Sequence, residues 1–239
     1  MINKKFVIQP LAVAALMLSA GASHAAFVNT FTSLASFNAG TVQQGTDLFD
    51  GLSISGGTPS PLTRNTAFGT AYSYSADTCR LNPDTVGLPC LRQGQPPIEV
   101  PGDIFFGGGT FANPFLATNT ATDAILLKNF SPAIRAIGGN FFGSDVSGWF
   151  TVGTITIIVN DSLGATLTQT ITNAAQAGFF GVLSNGFITS MEVSVVQPAG
   201  GFIWPAADNL VMAIPEPGTY ALMLAGLGFV GFMARRRRA

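Results

Sequence analysis

Few residues in this chain of 239 residues could carry out acid–base or nucleophilic chemistry. The single histidine, His24, lies in an N-terminal stretch that we expect to be cleaved off. Without histidine the remaining chain cannot form a Ser-His-Asp or Cys-His site, and it lacks the usual ligand of catalytic zinc. Lys128 is the only lysine between the two ends, and its strand-like surroundings favour a structural role. The sequence therefore predicts no enzymatic activity.

A pair of carboxyl groups could still hydrolyse a glycosidic bond without histidine. Glu99 and Glu192 are the only glutamates before residue 216. Glu99 lies in a proline-rich segment, and Glu192 lies on the face of a predicted strand opposite to its apolar residues. Nothing in the sequence brings the two together, so a carboxylate-dependent glycoside hydrolase is kept only as an alternative.

Three aspartates, Asp47, Asp50 and Asp208, lie beside apolar residues at the ends of predicted strands. Calcium prefers carboxylate and carbonyl oxygens, and Asp50 would approach Asp208 if the first and last strands pair. Asp50-Gly51 and Asp208-Asn209 are also ordinary turn sequences, and the sequence contains no Asp-x-Asp-x-Asp-Gly loop. A structural calcium site at Asp50 and Asp208 is one hypothesis, and a turn at each position is the interpretation that we favour.

The two tryptophans, Trp149 and Trp204, both lie in loop-like sequence. An exposed tryptophan can stack on a sugar ring, whereas a tryptophan in a β-sandwich usually lies in the core. We favour a core position for each and keep glycan contact as the alternative.

The only two cysteines, Cys79 and Cys90, lie in a segment with five prolines and no periodic apolar pattern. In an oxidising compartment such a pair most simply forms one disulfide, which would stabilise the fold by about 3 kcal/mol. We therefore expect residues 78–101 to be an irregular insertion closed by this bond. Gly107-Gly108-Gly109 is expected to extend the irregular region.

Two segments alternate clearly between apolar and polar residues around a turn at residues 160–164. Ile155, Ile157 and Val159 share one face of the first segment, and Thr166, Thr168 and Thr170 share one face of the second. This pattern predicts a β-hairpin. A second hairpin is expected around Ser184-Asn185-Gly186, and the further predicted strands are 52–54, 68–74, 124–130, 136–142, 179–183, 188–196 and 209–213.

About eight to ten short strands with almost no amphipathic helix indicate an all-β protein. We expect a jelly-roll-like β-sandwich over residues 26–213. Within it, Gly138-Gly139 predicts a bulge or the close approach of another strand.

The N-terminus has the three parts of a secretory signal peptide. Lys4 and Lys5 precede an apolar run from Leu11 to Leu18, and Ser23-His24-Ala25 offers small residues at the positions before a cleavage site. We expect residues 1–25 to be removed by signal peptidase.

The C-terminus combines Pro215-Glu216-Pro217 with an apolar run and a cluster of four arginines, Arg235, Arg236, Arg237 and Arg238. Residues 218–234 would form a helix of roughly 25 Å, which just spans a thin hydrocarbon core. Clustered arginines stay on the cytoplasmic side, so the preceding domain would lie outside the inner membrane.

This order of elements in residues 214–239 resembles the PEP-CTERM protein-sorting signal of Gram-negative bacteria. The resemblance implies processing by an exosortase near Pro-Glu-Pro, followed by delivery to the cell surface or extracellular matrix. An ordinary single-span tail anchor is the alternative.

The part of the chain between the two ends is acidic. All 12 acidic residues lie in residues 26–217 with only five basic ones, Arg64, Arg80, Arg92, Lys128 and Arg135, which gives a net charge of −7. This balance argues against nucleic-acid binding. The sequence thus predicts an exported structural or adhesive protein, in contact with exopolysaccharide, with a dedicated carbohydrate-binding module as the alternative.

Overall fold

The computed structural model describes residues 27–54, 56–66, 72–80 and 103–215. Within these ranges the chain forms antiparallel strands and one short helix, so the prediction of an all-β protein is confirmed. The helix is α1 (Leu34–Gly40). The strands are β1 (Phe27–Phe31), β2 (Thr41–Asp47), β3 (Gly57–Pro59), β4 (Leu62–Thr66), β5 (Tyr72–Arg80), β6 (Ile104–Thr110), β7 (Asn113–Thr118), β8 (Asp123–Ser131), β9 (Ala136–Ser144), β10 (Phe150–Thr151), β11 (Gly153–Asp161), β12 (Thr166–Ala174), β13 (Phe179–Ser184), β14 (Ile188–Val196) and β15 (Trp204–Pro215).

The described strands form one nine-stranded and one six-stranded antiparallel sheet. The larger sheet has the order β1-β13-β9-β15-β7-β6-β3, with β10 also paired to β9 and β2 also paired to β15. The smaller sheet has the order β12-β11-β14-β8-β5-β4. The expected eight to ten strands were too few, because short strands such as β3 and glycine-rich ones such as β6 lack apolar alternation. The jelly-roll topology stays a prediction.

One hydrophobic core draws its side chains from both sheets. Ile155, Ile157 and Val159 of β11 are fully buried in it, as their alternation in the sequence predicts. Phe141 of β9 and Leu210 of β15 enter the same core from the other sheet. Each such side chain contributes about 1.5–3 kcal/mol when buried, so this shared core holds the two sheets together.

The first predicted hairpin is confirmed, and the second is wrong. β11 pairs with β12 as expected. β13 instead pairs with β1 and β9 in the larger sheet, while β14 pairs with β11 and β8 in the smaller one. The residues between them cross from one sheet to the other, and the Ser184 hydroxyl fixes the crossing by donating to Asp161 Oδ2 at 2.6 Å. A short turn sequence therefore marks a change of sheet here.

Three other local predictions are corrected. Residues 52–54 form no strand, and Thr78–Arg80 belong to β5 rather than to the insertion. Gly107-Gly108-Gly109 lie in β6, paired with β7, and do not extend an irregular region. Cys79 is fully buried beside Ala124 and Leu126. Residues 81–101, with Cys90 and Glu99, lie outside the described residues, so the disulfide stays a prediction.

The predicted close approach at Gly138-Gly139 is confirmed. β15 pairs with β9 there, and the register shifts between Asp208 and Val211. Asn209, within this shift, has a left-handed φ of 49°. A Cβ atom on Gly139 would lie 3.1 Å from the Asp208 carbonyl oxygen. Glycine at this position lets the bulged strand β15 pack against β9.

Candidate functional site

The turn between β9 and β10 is held by a single carboxylate. Asp145 Oδ1 accepts hydrogen bonds from the backbone N–H groups of Ser147 and Trp149, both at 2.9 Å. The backbone N–H of Asp145 donates to the Trp149 carbonyl at 2.8 Å, and Gly148 adopts a left-handed φ of 77°. An aspartate at the start of a turn with glycine three residues later is a common arrangement for this reason. The turn therefore presents Trp149 from a fixed backbone.

Gly108 of β6 allows this turn to lie against the larger sheet, and Gly107 allows the close approach of Ser53. A Cβ atom on Gly108 would lie 2.9 Å from the Gly148 carbonyl oxygen and 2.1 Å from the Phe115 ring. A Cβ atom on Gly107 would lie 2.9 Å from the Ser53 carbonyl oxygen. The Gly109 N–H donates to the Gly148 carbonyl at 2.8 Å, so the turn is bonded to β6 as well as packed on it.

Large aromatic side chains are exposed around this turn. Trp149 is 56% exposed and Phe202 is 64% exposed, while Trp204 is half-buried. Phe202 contacts Trp204 edge-on, with 6.4 Å between ring centroids. Ser144 of β9 pairs with both Phe150 and Trp204, which brings the turn and the start of β15 together. We call Trp149, Phe150, Phe202 and Trp204 the aromatic end. The expected core position of Trp149 is wrong, and Trp204 is only half-buried, because Trp149 precedes β10 and Trp204 begins β15, where the shared core stops.

A cavity of about 340 Å³ opens beside the aromatic end. Its polar lining includes Asn119, Ser144, Asp145 and Ser147, and its apolar lining includes Phe106 and Trp204. The Trp204 indole N–H donates to the Asn119 carbonyl at 3.0 Å, which fixes the orientation of the ring. The cavity has the size of a small-ligand pocket and combines a flat ring with hydrogen-bonding groups. Such a surface can stack on a sugar ring and bind its hydroxyl groups.

A different polar group lies where β2, β4 and β5 meet. Asp47 accepts hydrogen bonds from Arg64 Nε at 2.8 Å, from the Tyr74 hydroxyl at 2.7 Å and from the Phe49 N–H at 2.7 Å. Arg64 also lies over the Phe49 ring, 5.5 Å from its centroid. Burial, reinforced by the charge of Asp47, raises the pKa of Tyr74 well above its ordinary value. We call Asp47, Arg64 and Tyr74 the Asp47 centre, and its satisfied hydrogen bonds indicate a structural role.

A family model matches residues 213–238 and describes them as a PEP-CTERM protein-sorting motif. The chain carries a PEP-CTERM sorting motif. The match confirms the resemblance seen in residues 214–239, and it supports an exported protein that an exosortase sorts through the membrane toward the cell surface. No curated protein matches the chain at a significant level.

The PEP-CTERM motif begins inside the last strand. Ala213 is fully buried in β15, and β15 ends at Pro215. β15 pairs with β2, β7 and β9, so processing after Pro215 would leave this central strand intact.

The other expected parts of the two terminal signals lie outside the described residues. The matched range covers the whole arginine cluster, but the structure describes nothing beyond Pro215. The expected signal peptide, residues 1–25, is also outside it, as are the remaining sorting-signal residues, Glu216, Pro217, Arg235, Arg236, Arg237 and Arg238. In the part of the chain that the structure describes, no helix is long and apolar enough to cross a membrane.

The expected calcium ligands lie in one region but form no ligand set. The last strand, β15, pairs with the second strand, β2, rather than with β1, and Asp208 is buried near the charges of Asp47 and Asp50. Burial raises the pKa of Asp208, the hydrogen bond from the Asn209 N–H opposes this, and the charges of Asp47 and Asp50 add to it. Asp47 is already bound to Arg64 and Tyr74. Across the described ranges, no group of three or more His, Cys, Asp or Glu side chains is arranged to hold a metal ion.

Glu192 and Lys128, the described residues considered for catalysis, do not line the cavity. Glu192 is fully buried, opposite Leu126 in the smaller sheet. Lys128 Nζ forms an ion pair with Asp77 at 3.0 Å, with only 2% of the Asp77 side chain exposed. These contacts fit a structural role for both Lys128 and Glu192. Sequence reasoning missed the Asp47 centre, because nothing in the sequence relates Arg64 or Tyr74 to Asp47.

Proposed function

We propose that this PEP-CTERM protein is a non-enzymatic structural or adhesive protein of the cell surface or exopolysaccharide matrix, and that it contacts exopolysaccharide through the aromatic end. In this proposal signal peptidase removes residues 1–25, and the protein is held at the inner membrane of a Gram-negative cell until exosortase processes it. The observation that carries the glycan contact is the exposure of Trp149 on a turn whose backbone is fixed by Asp145.

Exposure of this kind has a cost that a structural role does not explain. Tryptophan is usually placed where most of its large apolar surface is buried. Here Trp149 and Phe202 are more than half exposed, beside a cavity with several polar groups. An acidic chain with few lysines is a poor fit to anionic lipid or nucleic acid, whereas a neutral sugar ring stacks on an aromatic face without charge.

A carboxylate-dependent glycoside hydrolase has less support. Its candidate Glu192 is fully buried and cannot contact a substrate. Asp145 is the one carboxylate among the residues that line the aromatic-end cavity, and its Oδ1 is engaged by two backbone N–H groups. A dedicated carbohydrate-binding module remains the second candidate, and the same cavity favours it. The binding-module candidate differs from the proposed structural or adhesive role in one expectation: a free oligosaccharide should compete with the polymer for binding to the protein.

The glycan contact is tested by retention on exopolysaccharide isolated from the producing cells and immobilised on a column. Trp149→Ala and Trp204→Ala are expected to weaken retention on the order of fivefold to tenfold each, because each removes a stacking surface worth about 1 kcal/mol. Phe111→Ala is the matched control, since Phe111 is 82% exposed and lies in the turn between β6 and β7, outside the aromatic end. Equal retention of wild type and Trp149→Ala would contradict the proposal. Competition by a free oligosaccharide would favour the binding-module candidate.

The sorting part of the proposal is tested by the intact mass of protein recovered from the cell surface. Loss of about 25 residues from each end is expected, with the second cut near Pro215–Gly218. A mass that retains residues 220–238 would show a lasting tail anchor and would exclude exosortase processing. Extra mass on the new C-terminus would identify the group to which it is joined.

A further inference from the structure

β12 is an edge strand, and it is the longest of the described strands that lie at a sheet edge. It pairs with β11 on one side, and the order of the smaller sheet places no described strand on its other side. Six consecutive residues, 166–171, pair regularly with residues 155–160 of β11. Its other edge therefore presents backbone N–H and C=O groups that another strand could bind.

The other described sheet edges are short, bulged or charged, whereas β12 is long, uncharged and regular over most of its length. β1 has five residues and a shift of register between Phe27 and Asn29, β3 has three residues and ends at Pro59, and β4 has five residues and contains Arg64. β12 has nine residues, and residues 162–191 contain no charged residue and no proline. Proteins usually protect long edges with charge, proline or bulges, so an unprotected one indicates a pairing partner.

The irregularity in β12 lies at its end. The register with β11 shifts opposite Thr172 and Asn173, and Asn173 has a left-handed φ of 52°. A bulge there twists the strand away after Ile171. The regular part of the edge is therefore residues 166–171.

Within this regular part, residues 167–171 repeat the same residue classes on either side of Gln169. They read Leu-Thr-Gln-Thr-Ile. In an antiparallel pair of two copies centred on Gln169, Thr168 lies opposite Thr170 and Leu167 lies opposite Ile171. Threonine pairs and β-branched apolar pairs are both favourable across strands. The threonines are exposed, whereas Leu167 and Ile171 are partly buried against the core, so each row meets a row of its own kind.

We propose that β12 pairs antiparallel with β12 of a second copy of this chain, centred on Gln169, so that two six-stranded sheets become one of twelve strands. A second copy fits this edge because a two-fold axis requires self-complementary surfaces, which the repeated residue classes on either side of Gln169 supply. In the proposed matrix role, this pairing would let two copies of the protein bind each other. It rests on different residues from the aromatic end and is independent of glycan binding.

The test uses pairs of exposed threonines in protein recovered from the producing cells. In the proposed register, Thr168→Lys with Thr170→Lys places like charges opposite each other twice, which is expected to weaken association about tenfold. Thr168→Lys with Thr170→Glu places opposite charges together and should restore the dimer. Thr30→Lys with Thr63→Lys adds the same charge at exposed strand positions elsewhere and should not weaken the dimer. Sedimentation velocity over a range of concentrations measures all three.

Two outcomes would overturn the proposal: a wild type that stays monomeric at every concentration, or a dimer that the two-lysine variant leaves unchanged. A position-specific cross-link provides the second measurement. Gln169→Cys is expected to give a disulfide-linked dimer under oxidising conditions, because cross-strand Cβ atoms lie about 4.5–5.5 Å apart. Thr189→Cys, at an exposed position of the inner strand β14, is the control and should remain uncrosslinked. Equal cross-linking of the two variants would exclude the Gln169 register.

Discussion

The aromatic end exposes apolar side chains that are usually buried, whereas the Asp47 centre buries polar side chains that are usually exposed. At the aromatic end, large apolar rings are exposed to water above a backbone fixed by Asp145. At the Asp47 centre, a carboxylate and a phenol are buried, and every hydrogen bond that Asp47 accepts comes from within the domain. The first arrangement gives up much of the stability that full burial of its rings would provide, whereas the second is stable only because its groups are paired. This difference separates a surface that is available for binding from one that holds the fold.

The strongest test of this comparison is Asp47→Ala. The variant leaves Arg64 largely buried without its counter-charge and removes the acceptor of the Tyr74 hydroxyl, so we expect a loss of about 3–5 kcal/mol in the free energy of unfolding. Urea unfolding followed by tryptophan fluorescence measures it. Asp50→Ala is the matched control, because Asp50 is exposed and Arg64 bonds only to its backbone carbonyl. Similar losses in both variants would mean that net charge, not the buried pair, sets the stability.

Gly108→Ala should lower both the stability of the fold and the retention on exopolysaccharide. The new Cβ atom would clash with the buried Phe115 ring and with the Gly148 carbonyl oxygen, so we expect a loss of about 1–3 kcal/mol together with weaker retention on exopolysaccharide. Gly200→Ala is the control, since nothing lies within 4 Å of its Cβ position. A Gly108→Ala protein with normal stability and normal retention would show that the close packing of the turn on β6 is not needed.

The sequence predicts what depends on local pattern. The period of two over Ile155, Ile157 and Val159 identifies a strand and its buried face, and the Asn160–Gly164 turn identifies the β11–β12 hairpin. The C-terminal motif was predicted from its residues because its three parts are contiguous. These features need no information about distant contacts.

The sequence does not predict the features that depend on which sheet a strand joins. Phe179–Leu183 and Ile188–Val196 have the spacing of a hairpin, but they pair with strands of different sheets, and the Ser184–Asp161 hydrogen bond links the two sheets where the chain crosses. The glycines of β6 carry no apolar pattern, and they lie in a strand because β6 pairs with β7, while Gly108 leaves room for the β9–β10 turn. The exposure of Trp149 likewise follows from the position of that turn at the edge of the core. Each of these is a tertiary effect on a locally ambiguous segment.

Asp145→Ala separates binding from stability at the aromatic end. Removing the acceptor of two backbone N–H groups in an exposed turn should cost about 1 kcal/mol, because water can replace part of the interaction. Retention on exopolysaccharide should fall as far as in Trp149→Ala, since the tryptophan loses its fixed backbone. Asp145→Asn keeps an acceptor oxygen and is expected to recover most of the retention. Failure of the asparagine variant to do so would point to direct contact between the carboxylate and the ligand.

The smallest expected effect, and one of opposite sign, is that of Asp208→Asn. Burial and the charges of Asp47 and Asp50 raise the pKa of Asp208 in the folded protein, so the folded state binds a proton more tightly than the unfolded chain. Stability therefore decreases as the pH rises from the unfolded pKa of about 4 through the folded pKa, and the penalty is complete above it.

Asparagine cannot ionise and can still accept the Asn209 N–H bond. We thus expect Asp208→Asn to be slightly more stable than wild type at pH 7 and equally stable below pH 4, as measured by thermal unfolding across this range. An asparagine variant that is less stable at pH 7 would mean that the folded protein stabilises the charged form of Asp208. Asp208 would then resemble Asp47, whose charge is paired, and would not be a carboxylate destabilised by its neighbours.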